Sequence, residues 1–570
     1  MHKYQKPIVV VILCLIFTTY FLYNTKSDLP LIFQKDLRAH DESSNSVVAA
    51  NVTRKFFPPM VRVNPLNEKS GNWMEGPFWQ HIPPLFAYVP YLFFQLDGQI
   101  TIEVKRLSYA FITLLIGLLF IFCVYRFRKS LWATVAAAIA AIFWINTPFT
   151  HELITGYAFG VSDIVLALTV VGGFGVILWY LAGESEERLD YPFWKLILVG
   201  LVVALPIMTK NLLGAIPATT FFGLLIYDHK KISGQIWFAI LSFLGLLVVS
   251  YGSLYLSSPQ TFKQEIIVPI FHAASGYEGW GRPWHWYLTN YLPQRYLFGW
   301  TWVYYLGLIL GLVISKQKTV NRHDKVLLWL SGGWFAWNLA AISLSAAKIP
   351  NFIYQSYLLS LFFIVYSVVL ACHPERLAKD LLQDQIIRVR LRTTIITILF
   401  VFILVTGYEV IRFASQFQAQ RAQAYDYQSE HEKFYGSAEI MSGLGVNEQD
   451  LVIIRVSDND CWFRYYVLFL TGTESKTLLE MHFGYDLNKI KQKYNNIYFV
   501  INKSEQFAMT GVRIELADYS LIMFDPSDIE QALTQFLKQH ELDIQQDIER
   551  MKKDKTSCQW LVPDEILNAP

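Results

Sequence analysis

The sequence predicts an α-helical polytopic membrane protein of about eleven spans, followed by a soluble α/β domain at the C-terminus. Three observations predict it. The 570 residues are 53% hydrophobic and only 16% charged, where soluble domains carry about 25% charged residues. Apolar runs long enough to cross a bilayer recur up to residue 411. After that the chain turns mostly polar and its apolar runs shorten to strand length. The formal net charge of +2 gives no support to nucleic acid as a partner.

In chain order the expected spans are 7–24, 107–125, 131–148, 162–182, 194–211, 213–228, 236–256, 297–315, 325–346, 352–371 and 393–411. A spanning helix needs about 20 mainly apolar residues. The first run follows a short basic start with His2, Lys3 and Lys6, like a signal peptide. It lacks a small-residue cleavage site and runs into Tyr20, Phe21 and Tyr23, so an uncleaved anchor is expected. The pair around 194–228 is interrupted by Lys210-Asn211 and Pro217, which mark a tight turn.

Charge orients the bundle. Basic clusters at 126–129, 229–231, 316–325 and 388–392 fall in alternate loops, and positive charge favours the cytoplasmic side. The N-terminus is then cytoplasmic. Loops 25–106, 149–161, 257–296 and 347–351, with everything after 411, are then outside the cytoplasm. The protein is expected in the plasma or inner membrane, in contact with membrane lipids. The domains are 1–411, a membrane domain whose outer loop 25–106 joins the first two spans, and 412–570, an extracytoplasmic α/β domain. In the latter, 450–455 and 496–501 read as buried strands and 529–551 as helix. Cys461 and Cys558 both lie there, and an oxidising compartment would let them pair. The five cysteines include no C-x-x-C motif.

The long first loop is the main functional signal, since crossing the bilayer does not require it. Asp41-Glu42 is either part of a solvated loop or a carboxylate at the membrane face acting as general base. Asp163 opens a span; it is either a helix cap or an acid facing a cavity. Lys210 and Lys348 stand at the outer ends of spans, where a lysine can snorkel. Converging with Asp163, the two cations suit an anionic headgroup such as phosphate. Loop 257–296 mixes His272, Glu278, Arg282 and His285 with Trp280, Trp284, Trp286 and Tyr287. Aromatics at this level form an interface belt; mixed with polar groups they also suit a sugar ring. His81 and His272, with Glu75, are candidates to share a divalent metal, and two structural histidines are the alternative.

The order of these features resembles a known superfamily. An outer-loop Asp41-Glu42 follows the first span; His81-Ile-Pro-Pro-Leu85 comes next, and Arg106-Leu107 opens the second span. Asn146-Thr-Pro-Phe149, Ser162-Asp163, Thr209-Lys210 and Lys348-Ile-Pro-Asn-Phe352 complete the order. Over residues 1–410 this resembles the GT-C polyprenyl-phosphate-sugar glycosyltransferases. The nearest branch holds the lipid A aminoarabinose transferase and the protein O-mannosyltransferases. The resemblance implies an inverting transfer, outside the cytoplasm, from a polyprenyl-phosphate sugar donor to a lipid, glycan or protein acceptor. By the same resemblance Asp41 and Asp163 are the catalytic acids. The resemblance implies that Lys210 and Lys348 hold the donor phosphate, and Arg282 of loop 257–296 is a further candidate for it. Glu42, Tyr157, Trp284, Tyr287 and Tyr354 line the substrate pocket. The chain departs from the branch at Gln80-His81-Ile82, where an acid and a lysine precede Pro-Pro-Leu in the lipid A transferases. The competing reading is a non-catalytic protein that binds or transports a polyprenyl lipid. A transporter more often shows paired broken helices near the bilayer midplane, whereas the polar residues here cluster at one face.

Overall fold

The computed structural model describes residues 2–35, 37, 40–66, 83, 85–156, 162–182, 192–227, 236–263, 274, 281–297, 301–317, 320–371, 428–455, 460–482, 486–505, 511–516 and 519–554. The expected span 393–411 and the side chains of the Cys461–Cys558 pair lie outside what is described.

The N-terminal helix α1 (His2–Thr25) runs through a short 3₁₀ turn into α2 (Leu29–Ile32). Then come α3 (His40–Arg54), α4 (Leu85–Asp97) and α5 (Ile102–Arg128). Thr101 caps α5 by accepting from the Val104 amide at 3.2 Å. The membrane part continues with α6 (Leu131–Ile145), α7 (Pro148–Thr155), α8 (Ser162–Ala182), α9 (Phe193–Ala204) and α10 (Ile207–Lys210). After these come α11 (Ile216–Tyr227), α12 (Ile236–Ser257), α13 (Thr301–Lys316), α14 (Arg322–Leu344) and α15 (Tyr354–Ala371).

Among the described residues seven helical segments are long and apolar enough to cross a membrane, or eight if α6 and α7, bent by 63° at Asn146-Thr147, form one span. Of the other expected spans, 393–411 lies outside the described residues, and two are shorter apolar helices. The expected span 213–228 is the 12-residue α11, roughly 18 Å at 1.5 Å per residue. It is shortened by the turn at Lys210-Asn211. The 16-residue α13 reaches about 24 Å against a hydrocarbon core of about 30 Å.

Helix α15 is the axis of the bundle. Every residue from Tyr354 to Ser367 is buried, so the helix is enclosed all round. It packs against α6, α8, α13 and α14. Gly311 and Gly332 both lie against the Phe363 ring, where an added Cβ would stand 2.3 and 2.8 Å from it. Small residues thus let α13 and α14 close onto α15. At one end of the bundle Arg128 Nε and Tyr366 Oη each donate to Asp324 Oδ1 at 2.5 Å. The cluster around Asp163 occupies the other end.

The C-terminal domain is built on a five-stranded sheet in the order β2-β1-β3-β5-β4. Its strands are β1 (Leu451–Ile454), β2 (Glu474–Thr477), β3 (Ile497–Asn502), β4 (Val512–Glu515) and β5 (Tyr519–Phe524). β1 is parallel to β2 and β3; β5 is antiparallel to β3 and β4. The helix expected over 529–551 is two, α20 (Ile529–Gln539) and α21 (Glu541–Asp554), broken at His540. They follow α16 (Gln428–Gly443), α17 (Asp460–Thr471), α18 (Leu478–His482) and α19 (Leu487–Lys493).

Strand alternation divides the domain's interior into two cores. Leu451, Ile453, Ile497 and Phe499 face α19, α20 and α21. Val452, Ile454, Tyr498 and Val500 face the other way, into a core that includes α16 and α17. That second core also takes in Val47, Ala50 and Val52 of α3 and Phe86 and Phe94 of α4. The first loop and the C-terminal domain therefore share one hydrophobic core.

Candidate active site

Two buried polar clusters meet around α3, α7 and the start of α8. The first is built on Glu42, in the first turn of α3. Its side chain is fully buried, and Arg106 grips it with two bonds, Nε to Oε1 at 2.9 Å and Nη2 to Oε2 at 3.1 Å. This parallel fork is the strongest arrangement a carboxylate and a guanidinium make. Arg106 also donates from Nη1 to the carbonyls of Leu31 and Gln34 at 3.0 and 2.8 Å. Lys105 donates to the Glu42 carbonyl at 3.1 Å and to Ser46 Oγ at 2.5 Å. Two adjacent cations at the mouth of α5 thus hold α3 by side chain and backbone. Gly156 completes the niche: its φ is +82°, and a Cβ there would lie 2.2 Å from Glu42 Oε1. A residue with a side chain would be strained and would clash.

Beside this niche, His151 Nδ1 bonds the buried Asp28 carboxylate and its Nε2 lies 3.3 Å from Asn24 Nδ2. Tyr20 donates to Asn146 Oδ1 at 2.9 Å. These contacts tie the C-terminal end of α1 to α7 and to the α6–α7 junction. The other face of α7 carries Phe149, whose ring packs on Tyr354 and Tyr296 with centroids 5.5 and 5.3 Å apart. Thr150 donates to Tyr354 Oη at 3.3 Å.

The second cluster is centred on Asp163, in the first turn of α8 and 1% exposed. Lys210 Nζ lies 2.7 and 2.8 Å from its two oxygens, and Asn351 Nδ2 donates to Oδ2 at 2.6 Å. The Lys210 ammonium also sits 5.4 Å from the centre of the Phe352 ring. Lys210 reaches this position because α10 ends there: Asn211 takes φ +50° and the chain turns into a 3₁₀ segment. Two buried polar atoms of this neighbourhood, Ser162 Oγ and Asn351 Oδ1, have no hydrogen-bond partner among the described residues. Val165, two residues beyond Asp163, belongs to the same hydrophobic core as Val47 and Ala50 of α3, and α4 packs on both helices.

Lys348 is buried and donates to the Ser345 carbonyl. Burial holds its ammonium below the ordinary lysine value. Its segment is pinned by Tyr291 Oη, which donates to the Lys348 carbonyl at 2.7 Å. Tyr287 Oη donates to Ile349 O at 3.0 Å and accepts from Ile349 N at 3.1 Å. Arg282 is exposed, with its guanidinium 5.5 Å from the Trp286 ring, and Trp284 is 67% exposed. Tyr287 and Tyr354 are fully buried.

The residues expected from the sequence therefore divide. Asp163 and Lys210 are brought into direct contact, and Tyr354 lies beside them across Phe149 and Tyr296. Glu42 is bound wholly into the Arg106 niche. Arg282 and Trp284 stand at the surface. Asp41 is in the first turn of α3, and its side chain lies outside what is described. Tyr157, Glu75, His81 and His272 lie outside the described residues. Among the described residues no group of three or more His, Cys, Asp or Glu is placed to hold a metal ion. Sequence reasoning assigned no role to Arg106, Lys105, Asn351, Asp28 or His151. The first two had a signal, adjacent charges opening an apolar run. The rest acquire their significance only from partners more than a hundred residues away.

Most of the chain aligns in space with two solved transferases. One is ArnT from Cupriavidus metallidurans bound to undecaprenyl phosphate, with a TM-score of 0.54, 13% identity, and 90% of this chain and 97% of that one covered. The other is the Archaeoglobus fulgidus oligosaccharyltransferase tethered to an acceptor peptide containing the NVT sequon, with a TM-score of 0.50, 12% identity, and 87% and 69% covered. No protein-family model and no curated protein matches the chain. At these identities the likeness establishes the fold alone: a polytopic membrane protein with a small C-terminal α/β sheet domain, built as in these two structures.

Proposed function

We propose that this integral membrane protein is a glycosyltransferase that moves a sugar from a polyprenyl-phosphate donor to a lipid, glycan or protein acceptor. One observation carries the reading: the Asp163–Lys210–Asn351 cluster is buried at the start of α8, and α8 packs on α4, which packs in turn on α3, whose first turn bears Asp41-Glu42. A protein that needed only to hold a lipid would have little use for a buried acid–cation pair beside an acidic helix end. The fold shared with a transferase bound to undecaprenyl phosphate supports the same reading.

In this proposal the acceptor hydroxyl or amide attacks the anomeric carbon of the donor sugar. The bond from that carbon to the phosphate oxygen breaks, and configuration inverts. The acceptor proton passes to the Asp41 carboxylate, and polyprenyl phosphate leaves. Lys210 and Lys348, with Arg282 at the surface, supply positive charge to the phosphate as its negative charge develops. Asp163 sets the position of Lys210. Tyr287 and Tyr354, with Glu42, Tyr157 and Trp284, shape the pocket. The basic loops at the other ends of the spans support a reaction outside the cytoplasm. For a divalent metal the proposed residues remain Glu75, His81 and His272, outside the described residues; among the described residues no group of three or more His, Cys, Asp or Glu is placed to hold one.

The test is lipid analysis of cells with and without the intact gene. Accumulation of one polyprenyl-phosphate sugar on loss names the donor. An unchanged lipid-sugar pool, with purified protein inactive toward such donors, removes the transferase reading.

A further inference from the structure

The sequence places the C-terminal domain outside the membrane and gives it no task. Its contacts with α3 supply one. Helix α3 is held at both ends. At its N-terminal end Glu42 is forked by Arg106 of α5. At its C-terminal end Arg54 donates from Nη2 to the carbonyls of Phe469 and Leu470 at 3.1 and 2.9 Å. These are among the last carbonyls of α17, groups that no residue of their own helix can satisfy, and a cation there also suits the helix dipole. Arg54 Nη1 donates to Asn51 Oδ1 at 2.8 Å, which locks the fork to α3 itself.

The C-terminal domain is shaped for this contact. Gly472 ends α17 with φ +73°, and a Cβ there would lie 2.6 Å from Arg54 Nε. Around the fork, Tyr466 Oη accepts from the Leu37 amide at 2.6 Å, and Tyr494 Oη donates to the Asn64 carbonyl at 3.0 Å. Arg62 Nε lies 3.2 Å from Glu474 Oε2 with both side chains buried. Phe469 packs on Phe94 at a centroid distance of 6.4 Å. Twelve residues separate Glu42 from Arg54, about 18 Å of helix. The helix is a strut between the membrane bundle and the C-terminal domain.

We propose that the C-terminal domain is a positioning element for the membrane site, acting through Arg54 to fix the direction and depth of α3 and hence of the acidic pair in its first turn. Arg54 touches no substrate; it works by holding the far end of the helix. The proposal rests on the transferase reading only for the catalytic consequence. The mechanical part stands on the contacts alone.

The experiment uses the full-length protein in lipid nanodiscs with Arg54→Met, Arg54→Lys and Gly472→Ala. Lys491→Ala, which breaks an exposed pair with Glu530, serves as control. Amide hydrogen exchange is followed at residues 42–46, and kcat and KM are measured with a polyprenyl-phosphate sugar. Arg54→Met and Gly472→Ala are expected to raise exchange at 42–46 and lower kcat about 100-fold, the scale of a small misplacement of catalytic groups. Donor KM stays at the wild-type value. Arg54→Lys, which keeps a donor to the carbonyls, recovers part of both, and Lys491→Ala changes neither. Exchange that rises only near residue 54 and not at 42–46 overturns the proposal. So does a fall in kcat matched by the loss of folded protein. Should Arg54→Met fail to fold, Gly472→Ala tests the same contact from the other side. Should the wild-type protein show no transfer, the exchange data still decide the strut, and the transferase reading alone falls.

Discussion

Lys210 and Asp163 form an ion pair with distances of 2.7 and 2.8 Å at the point where α10 ends and α8 begins. Neither residue is near the other in sequence, and both are nearly buried. A buried pair of this kind contributes less through its mutual attraction than it costs when one member is removed.

Asp163→Asn should therefore destabilise the protein by about 3–5 kcal/mol, because it leaves Lys210 charged and unmatched. The double variant Asp163→Asn with Lys210→Met should recover part of that loss. Thermal unfolding of the four proteins in the cycle measures it. Undecaprenyl phosphate should raise the midpoint of wild type and not of Lys210→Met; equal stabilisation of both would place the phosphate elsewhere.

Asp41→Asn should lower turnover about 10²–10⁴-fold, the usual loss for a general base, with donor binding retained. A purified assay with expression checked decides it. Normal turnover would remove Asp41 from the mechanism and make Asp36 the next acid to test.

The niche around Glu42 predicts a structural phenotype. Glu42→Gln keeps the shape but leaves Arg106 buried without its counter-charge, at a cost of about 3–5 kcal/mol. Gly156→Ala should be damaging for a separate reason, since φ +82° is unfavourable for alanine and its Cβ would meet Glu42 Oε1 at 2.2 Å. Both variants should unfold at lower temperature than wild type. A Gly156→Ala protein as stable as wild type would mean that the niche is looser than described.

Lys348 gives a pH signature. Burial lowers its pKa from the ordinary 10.5, so the folded chain releases this proton at lower pH than the unfolded chain. Below the folded value the buried charge costs stability. As pH rises through that value toward 10.5, the unfolded state holds more protons and stability increases. Lys348→Met should accordingly be more stable than wild type at neutral pH, and the gap should narrow as the medium is made alkaline. Unfolding midpoints across that range test it; a gap independent of pH would show that the lysine's charge is not the cause.

Much of the bundle was legible in the sequence. The apolar runs at 107–125, 162–182 and 236–256 became α5, α8 and α12, because a membrane requires every backbone group to bond within its own helix. Strands β1 and β3 were legible for the same kind of local reason, as short runs of β-branched and aromatic residues between turns. β2 was not: Glu474-Ser-Lys-Thr477 looks like an exposed turn in sequence. It is a buried edge strand in which Glu474 pairs with Arg62 and Lys476, and Lys476 pairs also with Glu480.

The candidate site divides along the same line. Residue types and order marked Asp41, Glu42, Asp163, Lys210 and Lys348, because charges beside apolar runs are costly and therefore noticeable. Partnership belonged to the tertiary structure. Glu42 faces Arg106 rather than open solvent, Asp163 holds Lys210 and Asn351, and Arg54 joins the first loop to a domain that begins hundreds of residues later. By itself the sequence determined that the chain enters the membrane repeatedly and ends in an α/β domain, because hydropathy and strand composition are local properties. Only the tertiary structure decided which charges neutralise one another and that the C-terminal domain grips α3, because the energy of a buried charge depends on what lies within a few ångströms of it in space.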